Sequence, residues 1–258
     1  MSDEAASISQ YRQFRNILKS TPCKGEFMPY DWGKLPNRLP GIWVVYSQMF
    51  GEFSAEIANI VNELTRYTHQ LTAWRDVIAK LDDDQRLSVS TEFVVPLATV
   101  AINLPYVIRS RYIFATAHLC HQANLAKQRG DWKDDLSLDN KICFDEANKC
   151  GSHWGKYKNL KLSLERIGDK SYQSATNDFR NAYNHRFSPR IVIGITNFVT
   201  RHVEKATGKV SYSLGGIGPL SLENIVQLLE QQCINCYKAF ECFKKLVREH
   251  ESAIAASI

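Results

Sequence analysis

Apolar residues that recur every three or four positions predict several long amphipathic helices in this chain. The strongest stripe runs from Phe50 to Leu81, and apolar helical patterns follow at about 88–104 and 106–128. Pro105 lies between these two patterns, so we expect a break or kink there. Shorter helical patterns occupy about 140–150 and 155–167. Long stripes need partners along their length, which predicts a helical bundle.

The N-terminal region is predicted to be organised differently. Residues 1–20 have the pattern of a short amphipathic helix, and Thr21–Gly41 holds four prolines and three glycines. That composition is typical of an irregular segment, either a packed arm or a linker. We therefore divide the chain into an N-terminal helix with an irregular arm at 1–41 and a helical domain at 42–258.

The pattern changes from helix to strand after Pro189. Residues rich in β-branched and aromatic side chains occupy 191–193, Phe198–Glu204 and Lys209–Leu214, and Ala206-Thr207-Gly208 is a plausible hairpin turn. Ser221 is then a good N-cap for a long final helix. The predicted fold is mainly α, an up-and-down helical bundle with a small β-hairpin insertion at about 190–219 before the last helix.

The segment at about Lys170–Phe187 predicts an amphipathic helix whose polar face is unusual. Asparagine is a poor helix former because its amide competes for backbone hydrogen bonds. Three asparagines on one face therefore indicate a surface that hydrogen-bonds a ligand, and the alternative is an asparagine-rich helix end that caps and turns. At about 100° per residue, that face carries Arg180, Asn184, Asn177, Asn181, Ser174, His185 and Asp178.

Arg180 and His185 bring together the groups that RNA cleavage requires. A guanidinium can hold a phosphate by two hydrogen bonds, and a histidine can accept or donate a proton near neutral pH. These groups suit cleavage through attack by the 2′-hydroxyl of the RNA itself, a reaction that needs no metal. Asn181 lies four residues before His185, so its amide is expected to orient the imidazole.

The string Phe179-Arg180-Asn181-Ala182-Tyr183-Asn184-His185-Arg186 resembles the motif of the HEPN superfamily. That motif is an arginine, a polar residue that is often asparagine, and a histidine four to six residues beyond the arginine. The resemblance implies a four- or five-helix bundle that dimerises so that two motifs face each other. Many members are metal-independent endoribonucleases of toxin–antitoxin, antiphage and RNA-processing systems, and they leave 2′,3′-cyclic phosphate and 5′-hydroxyl ends.

The chemistry of the helix face and the resemblance together select the expected site residues. Arg180, His185 and Asn181 are the expected catalytic residues, and Asn184, Asn177, Arg186 and Arg190 are expected to contact the substrate. Some members are modified on a tyrosine two residues after the histidine. Phe187 occupies that position here, so this form of regulation is not expected.

The expected activity is that of a homodimeric endoribonuclease with a composite site, with RNA as its partner and with no metal or cofactor. An antitoxin or another defence protein is a further candidate partner. Two alternatives stay open. One is a non-catalytic HEPN module that binds RNA, a nucleotide or a protein, and the other is a purely structural helical dimer.

Composition adds weaker constraints on partners and location. The formal net charge of +5 permits binding to a polyanion without requiring it. Seven cysteines behind a polar, acidic N-terminus favour a reducing, cytoplasmic compartment. The most apolar stretch, Phe93–Ile108, is too short to span a bilayer, so we predict a buried helix and no membrane contact.

The cysteines also suggest other chemistry, which the patterns make less favourable. Cys233 and Cys236 form a Cys-x-x-Cys pair, but they lie on the apolar stripe of the last helix, which favours core packing. Cys143, Cys150 and His153 with Cys120 or His121 are an alternative zinc-binding set, although no second close pair completes a recognisable site.

Overall fold

The computed structural model describes residues 3–36 and 38–258, and it is mainly helical. An antiparallel pair of strands, β1 (Val199–Val203) and β2 (Val210–Leu214), lies before the last helix. The predicted helical fold with a hairpin insertion is thereby confirmed. The helices are α1 (Asp3–Ser20), α2 (Gly41–Ile78), α3 (Asp83–Val89), α4 (Val95–Gln128), α5 (Phe144–Gly151), α6 (Tyr157–Leu164), α7 (Lys170–Ala175), α8 (Phe179–His185) and α9 (Leu222–Ala255).

Helix boundaries differ from the sequence prediction mainly in the first half of the chain. Helix α1 is confirmed, although residues 1 and 2 of the predicted helix lie outside the described residues. Helix α2 begins at Gly41, well before the predicted start at Phe50. Trp43 and Tyr46 are both buried in this extra length, so packing stabilises turns that lack a regular apolar stripe.

The predicted break at Pro105 is wrong, because α4 continues through it, whereas the alternative of a kink at this residue stays a prediction. Proline has no N–H to donate, so the carbonyl of Ala101 loses its usual helical partner, at a cost of about 3 kcal/mol. Ile102, Tyr106 and Ile108 are all buried on either side of the proline. Each such side chain contributes about 1.5–3 kcal/mol on burial, which together exceeds the cost.

The chain divides into two compact units. Unit 1 contains residues 3–24, 66–103 and 170–230, and unit 2 contains residues 25–65, 104–169 and 231–258. Helices α2, α4 and α9 each contribute one part to each unit. All the predicted site residues belong to unit 1.

Unit 1 is built around a stack of three aromatic rings. The ring of Trp74 lies between those of Phe14 and Phe93, with centroid distances of 4.3 and 5.1 Å and nearly parallel planes. Tyr172, which is buried, donates its hydroxyl to the carbonyl oxygen of Ile102 at 2.9 Å. This hydrogen bond attaches α7 to α4, and so fixes the segment that leads into the candidate site.

Unit 2 has a second aromatic core, to which the irregular N-terminal arm contributes. Trp32 packs edge-on against Phe50, Phe240 and Phe243, with centroid distances of 5.0 to 6.0 Å. The backbone of Met28 both donates to and accepts from the side-chain amide of Asn62. The part of the arm at Met28 and Trp32 is therefore packed in unit 2 and is not a free linker.

The cysteines are unpaired, and the Cys-x-x-Cys motif lies in the core. Cys233 and Cys236 are both buried in α9, which confirms the interpretation of this motif as core packing. Within residues 3–36 and 38–258, no group of three or more His, Cys, Asp or Glu side chains is placed to hold a metal ion. Cys143 is exposed whereas Cys120 and Cys150 are buried.

One helical stretch in the described part of the chain meets the length and hydropathy expected of a membrane span. It is the stretch Asp83–Gln128, and 39% of its most apolar window is buried inside the protein. Core helices meet the same criterion, so length and composition alone decide nothing here. The absence of membrane contact stays a prediction.

The hairpin is attached at its base by Thr196. The buried Thr196 hydroxyl accepts from the backbone N–H of Arg190 at 3.1 Å and contacts the carbonyl oxygen of Ser188 at 3.5 Å. Backbone bridges join Thr196 to Ile217 and Ile191 to Leu220. The base of the hairpin thus follows α8 closely in the chain and is hydrogen-bonded to Ser188 and Arg190, just beyond the C-terminal end of α8.

We expect Thr196→Val to lower the free energy of unfolding by about 1 kcal/mol, because it removes the acceptor of the part-buried N–H of Arg190. The matched control is Thr200→Val, at an exposed position of β1, where a change within about 0.5 kcal/mol is expected. Urea unfolding measures the free energy of unfolding of both variants. Equal stability of the two variants would contradict the assigned role of the Thr196 hydroxyl.

Candidate functional site

The predicted single helix over Lys170–Phe187 is wrong, because it is divided between α7 and α8. Asn177 and Asp178 have φ values of 52° and 54°, in the left-handed region that a helix cannot contain. Asparagine and aspartate adopt this conformation more readily than other non-glycine residues, because their short polar side chains hydrogen-bond locally. At the end of α7, the Thr176 hydroxyl donates to the carbonyl oxygen of Tyr172 at 2.9 Å.

The break changes which residues share a face. The regular 100° spacing applies only within one helix, so Asn177 and Ser174 no longer belong to the face of Arg180. Asn177 is exposed in the connection between the helices. Its role is therefore that of the alternative interpretation, an asparagine that forms a turn at a helix end.

Helix α8 keeps the C-terminal part of the predicted face. Phe179 and Ala182 are buried and attach the helix to unit 1, while its polar side chains are exposed. Arg180 and Asn184 are four residues apart, as are Asn181 and His185, so these pairs lie in neighbouring rows along the helix. We call these four residues the polar strip.

Asp178 organises one edge of the polar strip. Its Oδ2 accepts hydrogen bonds from Nδ2 of Asn181 at 2.7 Å and from Nη2 of Arg186 at 3.0 Å, and its Oδ1 accepts from Nε2 of Gln173 at 2.6 Å. The bond from Gln173, together with those from Asn181 and Arg186, lowers the pKa of the Asp178 carboxyl below its usual value. Asp178 is a positioning residue that sequence reasoning did not select.

These bonds alter the expected contacts of two site residues. The Asn181 amide is directed towards Asp178, whereas the sequence suggested that it would orient the imidazole of His185. Arg186 is exposed but forms an ion pair with the same carboxylate. The helical pattern gave no sign of this network, because it depends on the left-handed turn at Asp178. The available signal was an acidic residue two positions before Arg180.

The remaining predicted substrate contacts lie on the surface. Asn184 is exposed on α8, and Arg190 is exposed five residues beyond its end. The backbone of Arg190 is bonded to Thr196 and to Leu220, so this arginine stands at the base of the hairpin. The structure therefore keeps Arg180, Asn181, Asn184 and His185 together and leaves Asn177 outside their helix.

Two histidines in unit 2 form a separate set of contacts with acidic residues. Nε2 of His121 lies 2.9 Å from Oδ1 of Asp134, and Nε2 of His118 lies 3.3 Å from Oδ1 of Asp139. Burial lowers the pKa of His118, against the opposing effect of Asp139. Both aspartates belong to the segment between α4 and α5, so these pairs attach that segment to α4.

Two replacements of Asp178 separate the contribution of its charge to stability from that of its left-handed backbone conformation. Asp178→Asn keeps a residue that tolerates the left-handed region, so we expect only a small loss of stability from the exposed ion pair. Asp178→Ala should be less stable than Asp178→Asn by about 1 kcal/mol, because alanine is strained at positive φ. Urea unfolding near neutral pH measures the difference.

The pH dependence provides the control for Asp178. Its pKa is lowered by folding, so its contribution to stability is present above the pKa of the unfolded chain and is lost as the pH falls. The difference between the unmodified protein and Asp178→Asn should therefore shrink in acid. A difference that is constant with pH would show that the carboxylate has no stabilising charge interaction.

Comparison of the chain with protein-family models, with curated proteins and with solved structures finds no match. The chemistry of the exposed polar strip is therefore the basis for assigning a function.

Proposed function

We propose that this protein is a metal-independent endoribonuclease of the HEPN type. The observation that carries the proposal is the exposure of Arg180 and His185 on one short helix, with Asn181 and Asn184 beside them. Both groups are accessible to a large anionic substrate, and Phe179 and Ala182 hold their helix against unit 1. The motif resemblance and the exposed strip agree in the residues that they select.

The proposed reaction is an internal displacement at phosphorus. The 2′-hydroxyl of the RNA loses its proton and attacks the adjacent phosphorus, and the bond to the 5′-oxygen of the next nucleotide breaks. The products are a 2′,3′-cyclic phosphate and a 5′-hydroxyl, so no water is consumed. In this scheme His185 transfers a proton, and Arg180 stabilises the growing negative charge on the phosphate.

The reaction needs two proton transfers, one from the 2′-hydroxyl and one to the leaving oxygen. A single imidazole cannot readily perform both at once, so the proposal includes a homodimer in which His185 of a second copy supplies the other transfer. Asn184 and Arg190 contribute contacts to the RNA backbone, and Arg186 does so from its ion pair with Asp178. A cytoplasmic role in a toxin–antitoxin or antiphage system, with an antitoxin or defence partner, belongs to the same proposal.

The second candidate is a non-catalytic HEPN module, and one observation favours it. The Asn181 amide donates to Asp178, so the residue that was expected to orient the catalytic imidazole of His185 is engaged elsewhere. In that case the polar strip binds RNA, a nucleotide or a protein without cutting.

Incubation of the purified protein with mixed cellular RNA in excess EDTA tests the proposal. We expect cleavage that leaves 2′,3′-cyclic phosphate ends, with a strong loss of cleavage in Arg180→Ala. Arg180→Lys should retain part of the activity, because lysine keeps the positive charge but cannot donate two parallel hydrogen bonds to the phosphate. Arg12→Ala, at an exposed position of α1, is the matched control. Intact RNA that nevertheless binds would favour the non-catalytic module.

Expression in bacteria adds a functional measurement. A toxin of this type should arrest growth, and Arg180→Ala should relieve the arrest at the same level of soluble protein. Growth arrest that persists in both Arg180→Ala and His185→Ala would contradict the assignment of the polar strip as the active site.

A further inference from the structure

The net charge of the whole chain is concentrated in α8 and in the segment that joins it to α9. Residues 179–221 contain six basic side chains and one acidic side chain, whereas the remaining residues contain 26 of each. All six basic residues are exposed. Asp178 lies just before this segment and neutralises part of the charge of Arg186. The basic residues are Arg180, Arg186, Arg190, Arg201, Lys205 and Lys209.

The same segment exposes most of its aromatic rings. Tyr183, Phe187, Phe198 and Tyr212 are 55%, 86%, 65% and 67% exposed, and only Phe179 is buried. A single exposed aromatic side chain is common on protein surfaces. Four exposed aromatic side chains within one basic segment instead indicate a binding surface. Rings and cations together form the usual surface for unpaired nucleic acid, because bases stack on rings while phosphates bind cations.

The hairpin places an arginine beside a ring. In the register of β1 and β2, Arg201 is opposite Tyr212, so their side chains leave the same face of the sheet. Both strands are exposed along their whole length, so this face has no cover within the described chain. We call it the hairpin face, and it comprises Val199, Arg201, Val203, Val210, Tyr212 and Leu214.

The hairpin face is connected to the polar strip through short range contacts. Thr196, at the base of β1, is bonded to Ser188 and Arg190, which follow His185 by only a few residues. Phe187 and Phe198 lie in the two segments that these bonds hold together. An RNA strand bound along this segment would therefore pass from the hairpin to the candidate catalytic residues without crossing to another part of the chain.

We infer that the hairpin face and its neighbouring aromatic residues bind single-stranded RNA, so that the substrate class of the protein is unpaired RNA. That the bound RNA is a substrate rests on the proposed function, whereas the inference that the hairpin face binds it does not. Duplex RNA fits less well, because its bases are already stacked on one another and do not reach exposed rings. A second copy of this chain also fits less well, because symmetric pairing of hairpins would bring the same positive charges together.

Binding by the non-cleaving His185→Ala protein tests the inference separately from catalysis. The probes are a labelled oligouridylate of about 16 nucleotides, the upper end of the length covered by one binding module, and a perfectly paired RNA duplex of equal length. Fluorescence anisotropy in EDTA at several salt concentrations gives the affinity for each probe. We expect the oligouridylate to bind more tightly than the duplex.

Substitutions on the hairpin are compared with matched changes elsewhere. Tyr212→Ala and Phe198→Ala should each weaken oligouridylate binding by about tenfold, whereas Phe27→Ala, an exposed ring in unit 2, should not. Arg201→Gln should reduce the slope of log affinity against log salt by about 0.7, and Lys158→Gln should leave it unchanged. All these positions are exposed, and circular dichroism verifies the fold.

Two results would overturn the inference. The first is unchanged affinity in Tyr212→Ala and Phe198→Ala, or equal affinity for the oligouridylate and the duplex. The second is a fall in solution mass from dimer to monomer in these variants with unchanged RNA binding, which would make the hairpin face a self-association surface. Hairpin-dependent binding without any cleavage by the unmodified protein would instead contradict the proposed nuclease and support the inference.

Discussion

Replacement of His185 by alanine should lower the rate of RNA cleavage by a factor of about 10²–10⁴, the usual contribution of one general acid or base. His185 is the exposed histidine of α8 and lies on the same helix as Arg180, so loss of its imidazole removes a proton-transfer group but little packing. Single-turnover cleavage of a defined RNA measures this rate, and urea unfolding should give the same stability for both proteins.

The matched control is His153→Ala, which removes another exposed imidazole from unit 2. Its cleavage rate should equal that of the unmodified protein. If His185→Ala cleaves as rapidly as His153→Ala, the proposed role of His185 is wrong. Mixing the unmodified protein with an excess of His185→Ala protein tests the shared site, because a mixed dimer holds one imidazole instead of two and should lose most of its activity.

The second large effect is expected in unit 2, where acid should destabilise the protein through His250. The His250 ring is fully buried, with its Nδ1 3.0 Å from the Tyr46 hydroxyl and its Nε2 3.6 Å from Sγ of Cys120. The centroid of the Trp154 ring lies 4.3 Å from that of the His250 ring. Nζ of Lys127 lies over the Trp154 ring, 3.8 Å from its centroid. Burial, with a further contribution from the charge of Lys127, lowers the pKa of His250 to about 3.

The direction of the effect follows from proton binding in the two states. An unfolded histidine binds a proton near pH 6.5, whereas folded His250 stays neutral down to about 3. Between these values the unfolded chain binds more protons, so the free energy of unfolding falls as the pH falls. Each unit of pH in this window changes it by up to about 1.4 kcal/mol, so a loss of several kcal/mol is expected.

Urea unfolding at several pH values between about 7 and 4 measures this loss, with His250→Gln as the test variant. Glutamine should destabilise the protein at neutral pH but should give a smaller decrease in acid, because it does not titrate. His153→Gln, at an exposed position, should keep the decrease of the unmodified protein. Identical slopes for the unmodified protein and His250→Gln would contradict the role of burial.

The long helices and the hairpin were predictable because each has a strong periodic signal. The stripe from Phe50 to Leu81 and the β-branched residues around the turn at Gly208 identify α2, β1 and β2. Ser221 was also correctly placed as an N-cap, since its Oγ accepts from the backbone N–H of Asn224. Periodicity did not reveal that α4 passes through Pro105, because it does not show how deeply Ile102, Tyr106 and Ile108 are buried, and their burial offsets the lost hydrogen bond.

The candidate site was predicted in part. The residues of α8 were identified correctly as one exposed polar group, because Arg180 and His185 lie within a single short helix. Asn177 was misplaced, since two consecutive left-handed residues interrupt the helical spacing. Asparagine and aspartate are compatible with both a helix and a turn, and a single sequence does not decide between them. The hydrogen bonds to Asp178 depend on that turn, so the sequence did not predict them either.

The interruption between α7 and α8 also affects how the candidate site moves. Helices of six and seven residues are far too short to be stable alone, so these two depend on a few buried anchors such as Tyr172 and Phe179. Amide protons of this segment should exchange with solvent much faster than those of the long α9, through openings that leave the rest of the molecule folded. A bound strand that slows this exchange would thereby order its own binding site.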